Sequence, residues 1–356
     1  MEGVKLSFDP FEFLEKEREV KQKWFISEDK LDDSQYNILY AQDDDYLIEG
    51  CAGSGKTILA LHRLIKFIES GKDTVLFVIF TKVLKTFIQS GVEANLFDKD
   101  TVEICYSHEV LTKIENGEIG YYDYIIIDEV QDLKENVIQS LVGVCSKHII
   151  LFGDDKQQIY VSINNGITLK KIRRITGIPS ENHLYLEKNY RLPRLIAEFA
   201  GKIIEDNGEL YNRCVKGNGL KPIIFKFNSE EDEIREIIKI ITDENLTDVG
   251  ILFPNNNLIK FAKQMFENEG FFIEYKYQDK RFKKTYNTLD FNSDLPKLIT
   301  YHSSKGLEFE TVFLPSCSID SECYNYREAL YVACTRPTKK LYVSYVDELS
   351  PYIDVK

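Results

Sequence analysis

Short apolar runs rich in β-branched residues alternate along this chain with longer stretches whose apolar side chains recur three and four residues apart. The runs predict strands at Tyr46–Glu49, Thr74–Phe80, Thr101–Tyr106, Tyr124–Asp128 and His148–Phe152. Helical spacing fills the gaps, as in TILALHRLIKFIES, where Leu64 and Ile68 lie four apart before Gly71 ends the run. Strand and helix in alternation predict a parallel sheet wrapped by helices. The rhythm restarts after Tyr185, with strands expected at Pro222–Phe227, Val249–Phe253, Leu298–Tyr301, Thr311–Leu314 and Leu341–Tyr345. Two α/β domains follow, divided as residues 1–184 and 185–356, and no internal repeat or low-complexity tract competes with that reading.

Composition narrows the classes of function. At 356 residues and 43% hydrophobic content the chain is long enough for two cores. With 45 Lys and Arg against 58 Asp and Glu, the net charge is -13, so any nucleic acid must be held in a local groove and not by bulk attraction. The seven cysteines form no C-x-x-C pair and the five histidines no H-E-x-x-H, so no zinc or iron–sulfur site is indicated. The acidic N-terminal stretch has no apolar leader, and no segment reaches the length of a membrane span, so a soluble cytoplasmic protein is expected. The acidic SEEDEIREIIKI reads as a helix start, because Ser229 caps and Glu230, Glu231 and Asp232 favour the positive end of the dipole.

The chemistry begins at GCAGSGKT, residues 50–57, which satisfies G-x-x-x-x-G-K-[ST] between a strand and a helix. Gly50, Gly53, Ser54 and Gly55 form a loop whose backbone N–H groups can converge on phosphates. Lys56 can reach β and γ oxygens, and Thr57 can coordinate Mg²⁺. Downstream, the apolar YYDYIII delivers Asp128 and Glu129 to the carboxyl end of a strand, the edge where ligands of parallel sheets bind. Asp128 suits Mg²⁺, and Glu129 suits a general base for an attacking water.

From DEVQD onward the chain resembles the UvrD/Rep-like superfamily 1 DNA helicases. LDDSQYNIL resembles the Q motif, FTKVLK motif Ia, LFGDDKQQIY motif III, LEKNYR motif IV, TYHSSKGLEFETVFLP motif V and LYVACTRPTKKLYV motif VI, covering Leu31 to Tyr345. The resemblance implies two tandem RecA-like P-loop domains with ATP in the cleft between them. It implies that Gln35 reads adenine, Tyr190 stacks on it, and Gln157 senses the γ-phosphate. Arg191 and Arg336 would be arginine fingers, and Lys305, Gly306 and Glu308 would approach the nucleotide. Phe80, Thr81, Thr300 and His302 would face single-stranded nucleic acid, DNA in preference to RNA. The implied activity is ATP hydrolysis with Mg²⁺, coupled to stepping along a strand.

The chain also departs from that family. About forty residues separate FTKVLK from YYDYIII, which leaves no room for the large insertion expected there, and the stretch between FFIEY and LPKLIT is likewise short. Where relatives carry an aromatic–Arg stacking pair, VSINNG follows QQIY, and Tyr36 stands beside the Q-motif glutamine in place of an Arg. These departures suit a second reading, an ATP-gated regulatory subunit that controls a partner such as a nuclease; an RNA-directed ATPase is a third. Two basic runs, LKKIRR and the aromatic-interleaved YKYQDKRFKK, are compatible with a single-strand surface or with a solvated strand edge protected by lysines.

Overall fold

A computed structural model of the chain describes residues 30–69, 73–79, 102–158, 167–318 and 323–353. Two sheets organise them. The first is parallel throughout, in the order β3-β2-β4-β5-β1-β6, from strands β1 (Tyr46–Gly50), β2 (Val75–Ile79), β3 (Val102–Tyr106), β4 (Tyr122–Ile127), β5 (Cys145–Gly153) and β6 (His183–Leu186). The second has seven strands in the order β10-β9-β11-β8-β12-β13-β7. These are β7 (Ile223–Lys226), β8 (Val249–Phe253), β9 (Glu274–Asp279), β10 (Lys284–Asn287), β11 (Lys297–Thr300), β12 (Phe309–Leu314) and β13 (Pro337–Tyr345). Its β9–β10 pairing alone is antiparallel.

The period-two geometry of a strand explains why both sheets are covered on two faces. In β4, Ile126 enters one apolar cluster with Ile48, Phe77, Ile150 and Phe152, while Ile125 and Ile127 enter the opposite one with Leu47, Leu76 and Leu151. The second sheet divides likewise, with Ile251, Phe253, Leu298 and Phe313 on one side and Leu252, Ile299, Val312 and Leu314 on the other. Each such fully buried side chain contributes roughly 1.5–3 kcal/mol. The fold is thus two α/β domains, consistent with tandem RecA-like P-loop domains.

Ten predicted strands have counterparts here, with ends shifted by a few residues. Three further strands were not expected. β6 is only four residues long and lies across the 184/185 division; it pairs with β1, a partner more than 130 residues earlier. β9 lies mostly in the basic run YKYQDKRFKK, whose charges mask the alternation, and β10 starts at its last lysine; they form an edge hairpin in which Tyr277 is buried and stacked on Tyr286. The other basic run is the helix Leu169–Thr176, which buries Leu169 and Ile172 and pairs Lys171 with Glu135 at 2.6 Å. The acidic helix Glu230–Asp243 starts as expected, with Ser229 Oγ accepting from the Asp232 N–H at 3.1 Å.

Candidate functional site

Strand order brings the first half of the site together. β4, β5 and β1 are neighbours, so their carboxyl ends set Asp128 and Glu129, then Asp154 and Gln157, beside the phosphate loop. Within that loop Gly53 and Gly55 have φ of 69° and 90°, the left-handed region that other residues enter at a cost. A side chain at Gly53 would come 2.6 Å from Arg191 Cβ, and one at Gly50 would come 2.4 Å from Ser54 Oγ. Lys56 begins the helix Lys56–Glu69; its Nζ is turned onto the loop's own carbonyls, donating to Gly50 O at 2.6 Å and Cys51 O at 3.2 Å.

Thr57 Oγ1 donates to Asp128 Oδ2 at 2.7 Å. Asp128 is buried, and burial together with the adjacent Glu129 carboxylate holds its pKa above the usual range. Glu129 takes a left-handed backbone at φ 54°, and a non-glycine residue in that conformation turns its side chain into the cleft at an energetic cost. Burial pushes the Glu129 carboxyl upward, but the Lys305 and Lys56 ammonium groups and the Gln131 amide outweigh it, leaving a carboxylate. Gln131 Nε2 donates to Glu129 Oε2 at 2.6 Å, and Gln131 Oε1 accepts from the Asp154 N–H at 3.1 Å.

The second domain closes the cleft. Arg336 is buried and donates to Val332 O at 2.8 Å, Leu307 O at 3.2 Å, Thr335 Oγ1 at 2.8 Å and Gln157 Oε1 at 3.2 Å. Burial and the nearby Arg191 guanidinium lower its pKa to about 9, so it stays charged at neutral pH. Arg191 Nε donates to Glu308 Oε2 at 2.9 Å. Lys305, 1% exposed, bonds the Asp132 carboxylate, donates to Gln157 O at 2.5 Å and stands 3.5 Å from Glu129 Oε2. Burial works against its charge, and the Asp132 and Glu129 carboxylates more than restore it.

At the rim, Gln35 joins a capping box with Asp32 and donates to Ser54 O at 3.1 Å. The Tyr190 hydroxyl bonds the Asp32 carboxylate, and the Tyr190 N–H donates to Gly53 O at 2.9 Å. Cys51 and Ala52 of the phosphate loop pack into the apolar core of the second domain, so the two halves meet at the loop itself.

The resulting cleft, about 220 Å³, is lined by Gln35, Gly53, Ser54, Gly55, Lys56 and Thr57 from the first domain. Glu129, Gln157, Tyr190, Arg191, Gly306, Glu308 and Arg336 line it as well. Asp128 and Lys305 lie just beneath, through their bonds to Thr57 and Gln157. Thr300 and His302 lie elsewhere, in a second groove, and Phe80 and Thr81 fall outside the described residues, as does VSINNG. Tyr36 lies against Tyr40, with ring centroids 4.5 Å apart and planes tilted by 33°, and does not line the cleft.

Sequence reasoning gave no role to Gln131 and Asp132, the last two polar letters of DEVQD, although both are wholly buried beneath the cleft. Lys216 and Thr338 also line it; Lys216 lies outside every motif, and Thr338 lies within LYVACTRPTKKLYV but was given no role.

The residues fit a nucleotide. Ser54 Oγ is buried without a hydrogen-bond partner among the described residues, and the glycine cradle leaves its backbone open to a phosphate. A hydroxyl and a carboxylate form the hard oxygen donor set that Mg²⁺ takes when substrate phosphates and waters complete its shell. Fold and cleft together define a P-loop nucleotide-binding protein of two α/β domains.

The family comparisons are more specific. An AAA domain matches residues 35–163 and a UvrD-like helicase C-terminal domain matches residues 297–344. Two segments of the chain thus match domains of the superfamily 1 UvrD-like helicase type. It is a distant relative of the ATP-dependent DNA helicase PcrA of Staphylococcus aureus, 29% identical over 175 residues, which are 44% of this chain and 22% of that protein. Rep of Buchnera aphidicola is 27% identical over 179 residues, 46% of this chain and 26% of that protein. The chain thus matches about a quarter of the length of these relatives. Among solved structures, the arterivirus nonstructural protein 10 helicase covers 87% of this chain, at 13% identity and a TM-score of 0.42. No helix among the described residues is long and apolar enough to cross a membrane.

Proposed function

We propose that the chain is an ATPase that couples hydrolysis to movement on single-stranded DNA. The observation that carries this reading is that Arg191 and Arg336 line the same cleft as Lys56, Thr57 and Glu129. Phosphoryl transfer needs positive charge on both sides of the γ-phosphate, and here the two sides come from different domains.

In this reading Gln35 and Tyr190 take the adenine, and the loop N–H groups take the phosphates. Lys56 leaves the Gly50 and Cys51 carbonyls to reach them. Thr57 and Asp128 hold Mg²⁺, which when bound neutralises charge on the β- and γ-phosphates. Glu129, oriented by Gln131, accepts the proton of the attacking water, while Arg191 and Arg336 stabilise the charge that develops on the transferred group. Gln157 ties hydrolysis to domain position, because its side chain accepts from Arg336 and its carbonyl from Lys305.

The link from β11 to β12 supports coupling. It carries His302 and Ser303 in the second groove and, within a few residues, Lys305, Gly306 and Glu308 at the cleft. A change of cleft geometry therefore has a short covalent path to the groove. The names of PcrA and Rep as DNA helicases support DNA over RNA.

ATPase turnover measured alone and with single-stranded DNA, single-stranded RNA or duplex tests the reading. Strong stimulation by single-stranded DNA is expected. A flat response with high basal turnover overturns the coupling and favours an ATP-gated regulator of a partner such as a nuclease.

A further inference from the structure

The edge hairpin β9–β10 forms one wall of a groove of about 500 Å³ whose other wall carries Thr300, His302 and Ser303. The floor is the turn after β8, where Asn255, Asn256 and Asn257 lead into the helix Asn256–Asn268. Two contacts fix the hairpin to the helix that begins at the floor. Asn256 Oδ1 accepts from the Gln278 N–H at 3.0 Å, and Lys260 Nζ donates to Asp279 Oδ2 at 2.9 Å. A buried pair, Lys297 and Glu274 at 3.1 Å, anchors the base of the hairpin to the sheet. The groove is thus built before any ligand arrives.

Its chemistry differs from the rest of the molecule. In a chain of net charge -13, no lining residue is a carboxylate, and two, Lys276 and Lys280, are lysines contributed by the hairpin. The hydroxyls of Thr300 and Ser303, 3.0 Å apart, sit opposite, and Tyr324, 42% exposed, offers a ring face at the mouth. Cations, hydroxyls and one open aromatic ring are what a sugar–phosphate backbone with an unstacked base requires. A volume in the ordinary ligand range, roughly 300–1,000 Å³, takes part of a flexible strand and not the flank of a duplex.

We infer that the β9–β10 hairpin is a nucleic-acid-binding element, with Lys276 and Lys280 gripping the phosphodiester backbone of single-stranded DNA and Tyr324 stacking on a base. The inference rests on the single-strand reading above. It adds a binding wall that none of the helicase-like motifs contains. The hairpin residues outside the groove, Lys283 and Lys284, are exposed and provide an internal control of equal charge.

Fluorescence anisotropy with a labelled oligo(dT) of about 16 nucleotides tests it, over a series of salt concentrations. K276E/K280E is expected to weaken binding at least about tenfold and to flatten the log–log salt slope by about 1.4, the share of two phosphate contacts on a single strand. K283E/K284E, the same charge change outside the groove, is expected to stay within about twofold of wild type, and K276R/K280R to restore binding. Should circular dichroism find K276E/K280E unfolded, K276Q/K280Q reads the same loss with less charge.

Equal losses in both charge-reversed pairs, or none in K276E/K280E, overturn the groove. A wild-type chain that hydrolyses ATP but binds no strand overturns the single-strand reading and the groove with it. A wild-type chain that binds, beside a K276E/K280E chain that binds equally, overturns the groove alone. Tighter binding of oligo(U) overturns the commitment to DNA.

Discussion

Lys305 of the second domain is bonded to Asp132 of the first, and both side chains are almost completely shielded from water. The pair joins the loop after β11 to the turn after β4, so a buried charge of one domain faces its opposite in the other. Removing Lys305 takes the ammonium away from two buried carboxylates, Asp132 and Glu129, and breaking a buried pair costs about 3–5 kcal/mol. Lys305→Met should therefore lower the thermal midpoint by several degrees, and Lys305→Met/Asp132→Leu should recover part of that loss, since Glu129 still lacks its lysine. A double variant no more stable than the single one would show that the two charges do not depend on each other.

Glu129→Gln should abolish hydrolysis while leaving nucleotide binding intact, because the amide keeps the shape and the Gln131 contact but cannot take a proton. Fluorescent-nucleotide titration beside phosphate release separates the two. Gln131→Leu should reduce turnover with little effect on nucleotide affinity, since Gln131 orients the carboxylate without lining the cleft. Undiminished turnover in Glu129→Gln would sink the assignment of the base.

Gly53→Ala adds a methyl 2.6 Å from Arg191 Cβ at a φ of 69°. Strain of about 1–3 kcal/mol is expected, with Arg191 displaced from the cleft and nucleotide affinity lost. Gly117→Ala, at the same φ but with open space around it, should carry only the backbone part of that cost. Thermal unfolding of the two variants compares them directly.

Burial lowers the His302 pKa from 6.5 to about 4. The unfolded chain takes up a proton near pH 6.5 and the folded chain does not, so the contribution of His302 is full above that pH. It is lost as pH falls from about 6.5 toward 4, on the order of 1–3 kcal/mol in all. Unfolding curves at pH 7, 6, 5 and 4.5 should show a shallower decline for His302→Asn than for the wild type. Parallel declines would remove His302 as a source.

The phosphate loop was legible in the sequence because its demands are local. GCAGSGKT needs glycine where φ is positive and lysine at a helix start, within eight consecutive letters, and a strand directly before it. YYDYIIIDE is local in the same way, since an apolar strand that ends in carboxylates announces both its burial and its site edge. Period and turn chemistry likewise marked ten of the thirteen strands among the described residues. Where charges interrupt the alternation, as in YKYQDKRFKK, the pattern falls silent, and HLYL becomes a strand through pairing with a distant partner.

Tertiary structure alone decided which groups meet. Nothing in DEVQD says that Asp132 will receive Lys305, 173 positions later, or that Gln131 will orient Glu129 and brace Asp154. The letters specify charge and hydrogen-bonding capacity, but a buried charge is tolerable only beside its opposite, and that proximity is a property of two packed domains. The same holds for the hairpin lysines. In sequence they are one more basic run, and only the register of β9 beside β11, with the Asn256–Gln278 bond, turns two of them toward Thr300 and Ser303 as the wall of a groove.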